Sequence, residues 1–144
     1  MKKYLNIAMI YTIIGLLCGV YYREFSKMND FVSEETVLKG VHTHYLVLGM
    51  FLFLILASFQ ARFDLENAKT YKAFMITYNI GLNGTGIMLL IRGTLEVMRI
   101  ALSSAVNGAI AGIAGLTHLT MAVGLILMFL TLKNAGEKYE TAKS

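Results

Sequence analysis

The stretch that decides the fold is Gly40–Phe59, "GVHTHYLVLGMFLFLILASF". From Leu46 onward it reads as membrane-spanning helix, for which about 20 predominantly apolar residues are needed. Yet the stretch begins with two histidines separated by a single threonine. Ionisable side chains at membrane depth are costly, and they mostly face a partner, a cavity or a cofactor. His42 and His44 are therefore the first candidates for a functional site.

The composition indicates a membrane protein. Of the 144 residues, 56% are hydrophobic and only 15% are charged, whereas soluble domains carry about 25% charged residues. The net charge of +4 is spread over the segment ends, so no basic cluster indicates nucleic-acid binding. The single cysteine, Cys18, provides no disulfide framework. We predict one integral membrane domain over residues 1–144.

Four apolar runs predict an all-α bundle of four transmembrane helices. The predicted helices cover about residues 4–22, 37–59, 73–100 and 109–132. The first run follows Lys2 and Lys3, as a signal peptide would. It ends in the bulky residues Tyr21 and Tyr22 where a cleavage site requires small ones, which predicts a retained helix.

The distribution of lysine and arginine predicts the orientation in the membrane. If the helices alternate, both termini and the second loop share one side of the membrane. That side carries eight basic residues: Lys2, Lys3, Arg62, Lys69, Lys72, Lys133, Lys138 and Lys143. The other side carries four: Arg23, Lys27, Lys39 and Arg99. Because basic loops favour the cytoplasm, we predict a multi-pass protein of the cell membrane with both termini cytoplasmic.

This topology places unusual polar residues of three helices in the same outer half of the membrane. His42 and His44 lie near the start of the second helix, and Arg92 and Glu96 lie near the end of the third. His118 is about nine residues into the fourth helix, or roughly 13 Å deep. Residues two apart on a helix point about 200° apart, so His42 and His44 face opposite sides and can serve two sites.

Small residues stand beside two of these histidines. Gly40 lies four residues before His44, and Ala114 and Gly115 precede His118. Such flat surfaces allow close helix packing, and they would equally let a porphyrin approach a histidine ligand. The alternative is that each histidine is neutral and bonded to a neighbouring backbone group or hydroxyl.

Arg92 and Glu96 have the spacing of a helical ion pair. Arg92 is either paired in this way near the membrane interface or binds an anionic group such as a haem propionate, because its planar guanidinium suits a carboxylate.

The segment "VHTHYLVLGM", residues 41–50, resembles helix ten of subunit I of the haem-copper oxidases, where an H-x-H-Y pattern precedes an apolar run with Met and Gly. The resemblance implies that His42 binds a haem on one face of the helix and His44 a second haem on the other, with Tyr45 as the following tyrosine. The chain lacks the copper-binding histidines of that family. Since the oxidase core consists of three similar arcs of four helices, the resemblance also implies a homotrimer with cofactor sites near subunit boundaries.

The whole chain is similar to an uncharacterised family of small bacterial four-helix membrane proteins. These combine the H-T-H motif with "YREF", here residues 22–25, and with "GLTH" in a late helix, here residues 115–118.

These observations predict an integral membrane b-type haem protein for electron transfer or for sensing or handling a small gas. His42, His44 and His118 are the candidate haem or metal ligands, and Arg92 is the candidate propionate partner. In a trimer the simplest symmetric site takes His44 from one subunit and His42 from the next. In a monomer the expected pair is His44 with His118.

Two other functions fit the same residues. Imidazole also suits copper and zinc, which predicts a copper or other metal-binding membrane protein. Alternatively the chain is a small-solute transporter or assembly factor without haem. The expected partners are membrane lipid and further copies of the chain; a catalytic role and a redox partner stay open.

Overall fold

The structure is a computed structural model that describes residues 1–143. Across these residues the chain forms four long helices and no strand: α1 Lys2–Met28, α2 Lys39–Arg62, α3 Tyr71–Val97 and α4 Ser104–Thr141. A short 3₁₀ turn, Leu65–Asn67, lies between α2 and α3. Each long helix is long and apolar enough to span a membrane, which indicates a multi-pass membrane protein. The predicted all-α class with four apolar helices is confirmed.

The turn between α3 and α4 is tighter than the sequence suggested. α3 ends at Val97, since Arg99 has a left-handed backbone with φ of 53°. α4 begins at Ser104, ahead of the predicted start, because the Ser103 hydroxyl oxygen accepts a hydrogen bond from the Val106 N–H at 3.4 Å and caps the helix. We call the end of the bundle where α1 and α3 finish and α2 and α4 begin the histidine end.

α3 and α4 form the closest helix pair, and glycines allow their backbones to meet. A Cβ placed on Gly124 would lie 2.6 Å from the Cα of Tyr78, and one on Gly81 would lie 2.5 Å from the Cα of Met121. Small residues at such crossings permit close packing between membrane helices. α4 is therefore fixed against α3, and the rotation of α4 about its own axis follows from these contacts.

α2 packs between α1 and α3 through a second set of glycines. Gly49 lies against the ring of Tyr11 on α1, where a Cβ would be 2.6 Å from Cγ. On α3, Gly86 lies against the Tyr45 side chain. The buried interior between these helices is largely aromatic: Tyr4, Tyr11, Tyr45, Phe53, Tyr71, Phe74 and Tyr78.

Three polar side chains on α1 and α3 form a hydrogen-bond network within the bundle. The Tyr11 hydroxyl donates to Asn79 Oδ1 at 2.5 Å and accepts from Asn83 Nδ2 at 2.9 Å. Both amides also donate to the carbonyl oxygen four residues earlier. Because unpaired polar groups are costly in an apolar interior, this network ties α1 to α3.

α2 is not a uniform α-helix. Residues His44–Phe51 form a π-helical segment, with α-helix on either side. The Tyr78 hydroxyl donates to the Leu48 carbonyl oxygen within this segment at 2.7 Å. π-helical turns are rare and frequently occur at functional sites. Here the wider turn begins at His44.

Candidate cofactor site

Contacts with α3 bring two histidines to the same level of the bundle. Gly84 of α3 lies against Thr117 of α4, where a Cβ would be 2.6 Å from Thr117 Cγ2, and Tyr45 of α2 lies against the same region of α3. His44 precedes Tyr45 and His118 follows Thr117 in the sequence. The two imidazoles therefore approach each other from α2 and α4, beside α3.

The two rings form a close pair. The centroids of His44 and His118 are 6.3 Å apart, and the ring planes are perpendicular. Two imidazole nitrogens that each lie about 2.0–2.1 Å from one metal ion, on opposite sides of it, place their ring centroids about 6–6.5 Å apart. The observed separation is therefore in the range for two histidines on opposite sides of one metal ion.

Both imidazoles are oriented by the same kind of hydrogen bond, to the backbone carbonyl oxygen four residues earlier. His44 Nδ1 donates to the Gly40 carbonyl oxygen and His118 Nδ1 donates to the Ala114 carbonyl oxygen, each at 2.8 Å. Since a carbonyl oxygen can only accept, each Nδ1 carries the proton, and the neutral ring has its free lone pair on Nε2. This is the arrangement that orients metal-binding histidines. The predicted backbone-bonded state thus occupies one nitrogen and leaves the other for a ligand.

The pair lies between two spaces, one with charged and polar lining residues and one with apolar lining residues. His44 is half-buried and His118 is exposed. Toward the histidine end there is a cavity of about 400 Å³, lined by Glu35, Thr36, Val37, Lys39, Gly40, Leu89 and Glu96. In the other direction α2 and α4 enclose an apolar groove of about 260 Å³, lined by Val47, Phe51, Leu52, Ile55, Leu56, Met128 and Leu132.

Arg92 forms the predicted ion pair with Glu96 and does not contact the histidines. Its Nε lies 3.3 Å from Glu96 Oε1, and another guanidinium nitrogen donates to Asn107 Oδ1 at 3.2 Å. Counted along α3 from Gly84, Arg92 is about 12 Å closer to the histidine end. Glu96 also accepts a hydrogen bond from the Val37 N–H at 2.9 Å, so this carboxylate fixes the start of α2 to α3.

His42 has a different environment from His44. A Cβ placed on Gly19 of α1 would lie 3.7 Å from His42 Cβ, so this histidine packs against α1. Its Nδ1 is buried and has no hydrogen-bond partner among residues 1–143, while Nε2 lies 3.5 Å from the Thr43 hydroxyl. The structure thus pairs His44 with His118 and leaves His42 on the α1 side.

A protein-only metal site is not formed by the described part of the chain. Among residues 1–143, no group of three or more His, Cys, Asp or Glu side chains is close enough to hold a metal ion. Two histidines are sufficient for a cofactor that supplies the other ligands itself, as a porphyrin does for haem iron.

The fold and this site define the class: a small multi-pass helical membrane protein with a histidine pair between α2 and α4. The chain belongs to the family described as "Protein of unknown function (DUF2871)", whose model matches residues 1–135. No curated protein and no solved structure matches it. The resemblance to haem-copper oxidases therefore rests on the segment at residues 41–50 alone.

Proposed function

We propose that this chain is a membrane b-type haem protein in which His44 and His118 of one chain are the axial ligands. The observation that carries the proposal is the histidine pair itself, with centroids 6.3 Å apart and both Nδ1 atoms bonded to backbone carbonyls. When bound, haem would supply a redox-active iron whose spin state and potential depend on these axial ligands.

The surroundings of the pair support haem over a bare metal ion. Haem is an amphipathic disc with two propionates on one edge and apolar substituents on the opposite edge. The space on one side of the histidines is lined by Lys39 and by Glu96, the ion-pair partner of Arg92, whereas the groove on the other side is lined by apolar side chains alone. The disc would fit with its propionates toward Arg92 and its apolar edge between α2 and α4.

The two histidines favour electron transfer. Axial ligation by two imidazoles gives a low-spin haem, whereas gas binding needs an open position. His118 is exposed and His44 is half-buried, so His118 is the ligand that a small gas would displace. In this arrangement His42, which packs against α1, is not an axial ligand.

A visible spectrum of the purified protein tests this function directly. The protein is expressed with haem supplied, purified in detergent, and analysed by absorbance and metal content. We expect a Soret band and the sharp α and β bands of a reduced low-spin haem. A copper or zinc stoichiometry without a Soret band would instead support the metal-binding alternative, and neither signal would support a transporter or assembly factor.

We further propose that both termini are cytoplasmic, so that the histidine end faces outward. The eight-to-four distribution of basic residues supports this orientation. In a Cys18→Ala background, Lys69→Cys between α2 and α3 and Ala101→Cys between α3 and α4 should react with a membrane-impermeant maleimide from opposite sides. Labelling of Lys69→Cys from outside in intact cells would show that the orientation is the opposite of the one proposed.

We also propose that the chain forms a homotrimer, and an uncovered face of α4 supports this assembly. Gly108, Gly112 and Gly115 point in similar directions, and a Cβ on any of them would meet no atom within 4 Å among residues 1–143. Elsewhere in α4, Gly124 closely contacts Tyr78, and small residues promote helix association in membranes. Native mass spectrometry should show a trimer that Gly112→Leu dissociates; a monomeric wild type would contradict this assembly.

A further inference from the structure

A polar cavity of about 620 Å³ lies at the end of the bundle opposite the histidine end, between the α2–α3 turn and the last turns of α4. We infer that it binds the phosphodiester headgroup of an anionic membrane phospholipid, with Lys69 and Lys138 as the residues that contact the phosphate. The inference does not depend on the haem site, because the two sites lie at different ends of the helices. The cavity is lined by Asn67, Ala68, Lys69, Asn134, Glu137, Lys138, Thr141 and Ala142.

Two hydrogen bonds hold the α2–α3 turn against α4. The hydroxyl oxygens of Thr70 and the buried Thr131 are 2.8 Å apart, and Lys138 Nζ donates to the Asn67 carbonyl oxygen at 3.3 Å. Ala68, in the same turn, is buried. The backbone on both sides of the cavity is therefore fixed by contacts within the bundle.

The lysines give the cavity a net positive charge. Its charged lining residues are Lys69, Lys138 and Glu137, so the cations exceed the anions by one. Among residues 1–143, neither lysine forms an ion pair with a carboxylate. A phosphodiester carries one negative charge and accepts charge-assisted hydrogen bonds from ammonium groups, and the Asn134 amide can donate to or accept from headgroup hydroxyls. The lining therefore matches a monoanionic headgroup.

The cavity lies at the depth of lipid headgroups. The apolar run of α4 ends at Leu132, and Lys133 is the first charged residue after it. Asn134 and Lys138 follow Leu132 by about 3 Å and 9 Å along the helix axis. A headgroup layer extends roughly 5–8 Å beyond each side of the hydrocarbon core, and a lysine side chain can reach back toward it. The phosphates of one leaflet are therefore within reach of both lysines.

The surface of α4 beside the cavity suits an acyl chain. Residues 123, 126, 130, 134, 138 and 141 recur at intervals of three or four, so they lie along one face of the helix. In the membrane half of this face, Val123, Ile126 and Leu130 are exposed and apolar. An apolar stripe that leads into a cationic cavity fits a lipid with a charged headgroup better than it fits a soluble phosphate. The stripe is also separate from residues 108–115, which carry the proposed trimer contact.

The proposed orientation agrees with this ligand. With both termini cytoplasmic, the cavity faces the cytoplasmic leaflet. Basic pockets between membrane helices on that side bind anionic lipid headgroups.

Lipid titration of the full-length protein tests the inference. The protein is purified in detergent, stripped of lipid, and titrated with phosphatidylglycerol or phosphatidylcholine of identical acyl chains, with binding followed by native mass spectrometry. The wild type should prefer phosphatidylglycerol by on the order of tenfold, since the choline cation would lie beside the same lysines. Lys69→Gln and Lys138→Gln should each lose part of this preference, and the double variant should lose nearly all of it. Glu137→Gln should strengthen it, because the like charge is removed.

Matched controls separate a defined site from general attraction to basic residues. Lys72→Gln and Lys133→Gln remove exposed lysines at the same end of the bundle that do not line the cavity, and both should behave as the wild type. Lys138→Arg should keep the preference. Losses in the control variants equal to those in Lys69→Gln and Lys138→Gln would overturn the site, as would a double variant that binds phosphatidylglycerol like the wild type.

A competition experiment identifies the source of the phosphate. Glycerophosphoglycerol, the headgroup without acyl chains, is added at concentrations at which phosphatidylglycerol saturates the protein. It should not displace the lipid, because it lacks the chains that would lie on the apolar stripe. Displacement at equal concentration would show that the cavity takes a soluble phosphodiester and would overturn the assignment to a lipid. Each of these outcomes leaves the proposed haem site unaffected.

Discussion

Two opposite faces of α2 each carry a histidine, but the two histidines lie in different environments. His42 packs against Gly19 of α1 with a buried Nδ1 that has no hydrogen-bond partner in the described part of the chain, whereas His44 lies next to His118 with its Nδ1 bonded to the backbone. The H-x-H motif is nearly symmetric in sequence, yet among residues 1–143 only His44 lies next to another histidine. The difference shows that a motif on one helix fixes the directions of its side chains, whereas the packing of the neighbouring helices decides what each side chain contacts.

The asymmetry follows from where the glycines lie. Gly49 and Gly15 let α1 pack closely on α2, since a Cβ on Gly15 would be 2.9 Å from Leu46. The glycine contacts of α4 are made with α3, through Gly81 and Gly124. α4 is therefore held beside α2 without close backbone contact, and the space between them remains a groove.

The largest expected effect is the loss of an axial ligand, which should follow substitution of His44 or His118 but not of His42. His44→Ala and His118→Ala should each abolish haem retention or convert a six-coordinate low-spin haem to a high-spin one, because each removes an axial imidazole. His42→Ala should leave the spectrum unchanged. Absorbance and electron paramagnetic resonance of the three purified variants measure this. Equal losses in His42→Ala and His44→Ala, with His118→Ala retaining low-spin haem, would instead support the pair formed across subunits.

A second prediction disturbs the contact that positions His118. In Gly81→Ala the new methyl group would overlap the backbone at Met121, three residues from His118, and the crossing of α3 and α4 would have to shift. Overpacking of this kind costs about 1–3 kcal/mol. Thermal unfolding in detergent, followed by circular dichroism, should show a lower midpoint and weaker haem binding.

The matched control for this change is Gly136→Ala, also in α4, where a Cβ meets no atom within 4 Å among residues 1–143. Alanine is favoured over glycine within a helix by about 1 kcal/mol. This variant should therefore be as stable as the wild type or slightly more stable. Equal destabilisation of both variants would argue against the close contact at Gly81.

A third, smaller effect concerns the propionate edge of the proposed haem and leaves the axial histidines in place. Arg92→Ala should weaken haem binding by about 1–3 kcal/mol, the scale for losing a hydrogen bond to a charged group, without changing the spin state. A haem titration and a spectrum of the bound form measure the two quantities. A change to high-spin haem in this variant would show that Arg92 acts on the ligands and not on the propionate.

The smallest expected effect tests the π-helical segment that begins at His44. Tyr78→Phe removes the hydrogen bond from the Tyr78 hydroxyl to the Leu48 carbonyl oxygen. Its loss should lower the free energy of unfolding by about 0.5–1.5 kcal/mol. A spectrum unchanged from the wild type would show that this bond stabilises α2 without adjusting the His44 ligand.

Much of the fold could be predicted from the sequence because apolar run length is a local property. The runs around His42 and His118 predicted membrane helices, and the spacing of Arg92 and Glu96 predicted an ion pair that the structure contains. The hydrogen bond from the Val37 N–H to the Glu96 carboxylate was not predicted, because it joins residues far apart in the chain. This bond depends on the contact of Leu38 with Gly93, which brings the start of α2 against the end of α3.

The sequence by itself determined the helices, their apolar character and the opposite directions of His42 and His44, because these depend on residue type and on the 3.6-residue period of one helix. Only the tertiary structure decided which histidine gained a partner. The rotation and depth of α4 are set by where Gly81, Gly84 and Gly124 allow its backbone to meet α3. Those contacts act between helices, so the sequence could offer His44 with His118 only as one of two alternative pairs, and no pattern within a single helix could have shown that the two residues face each other.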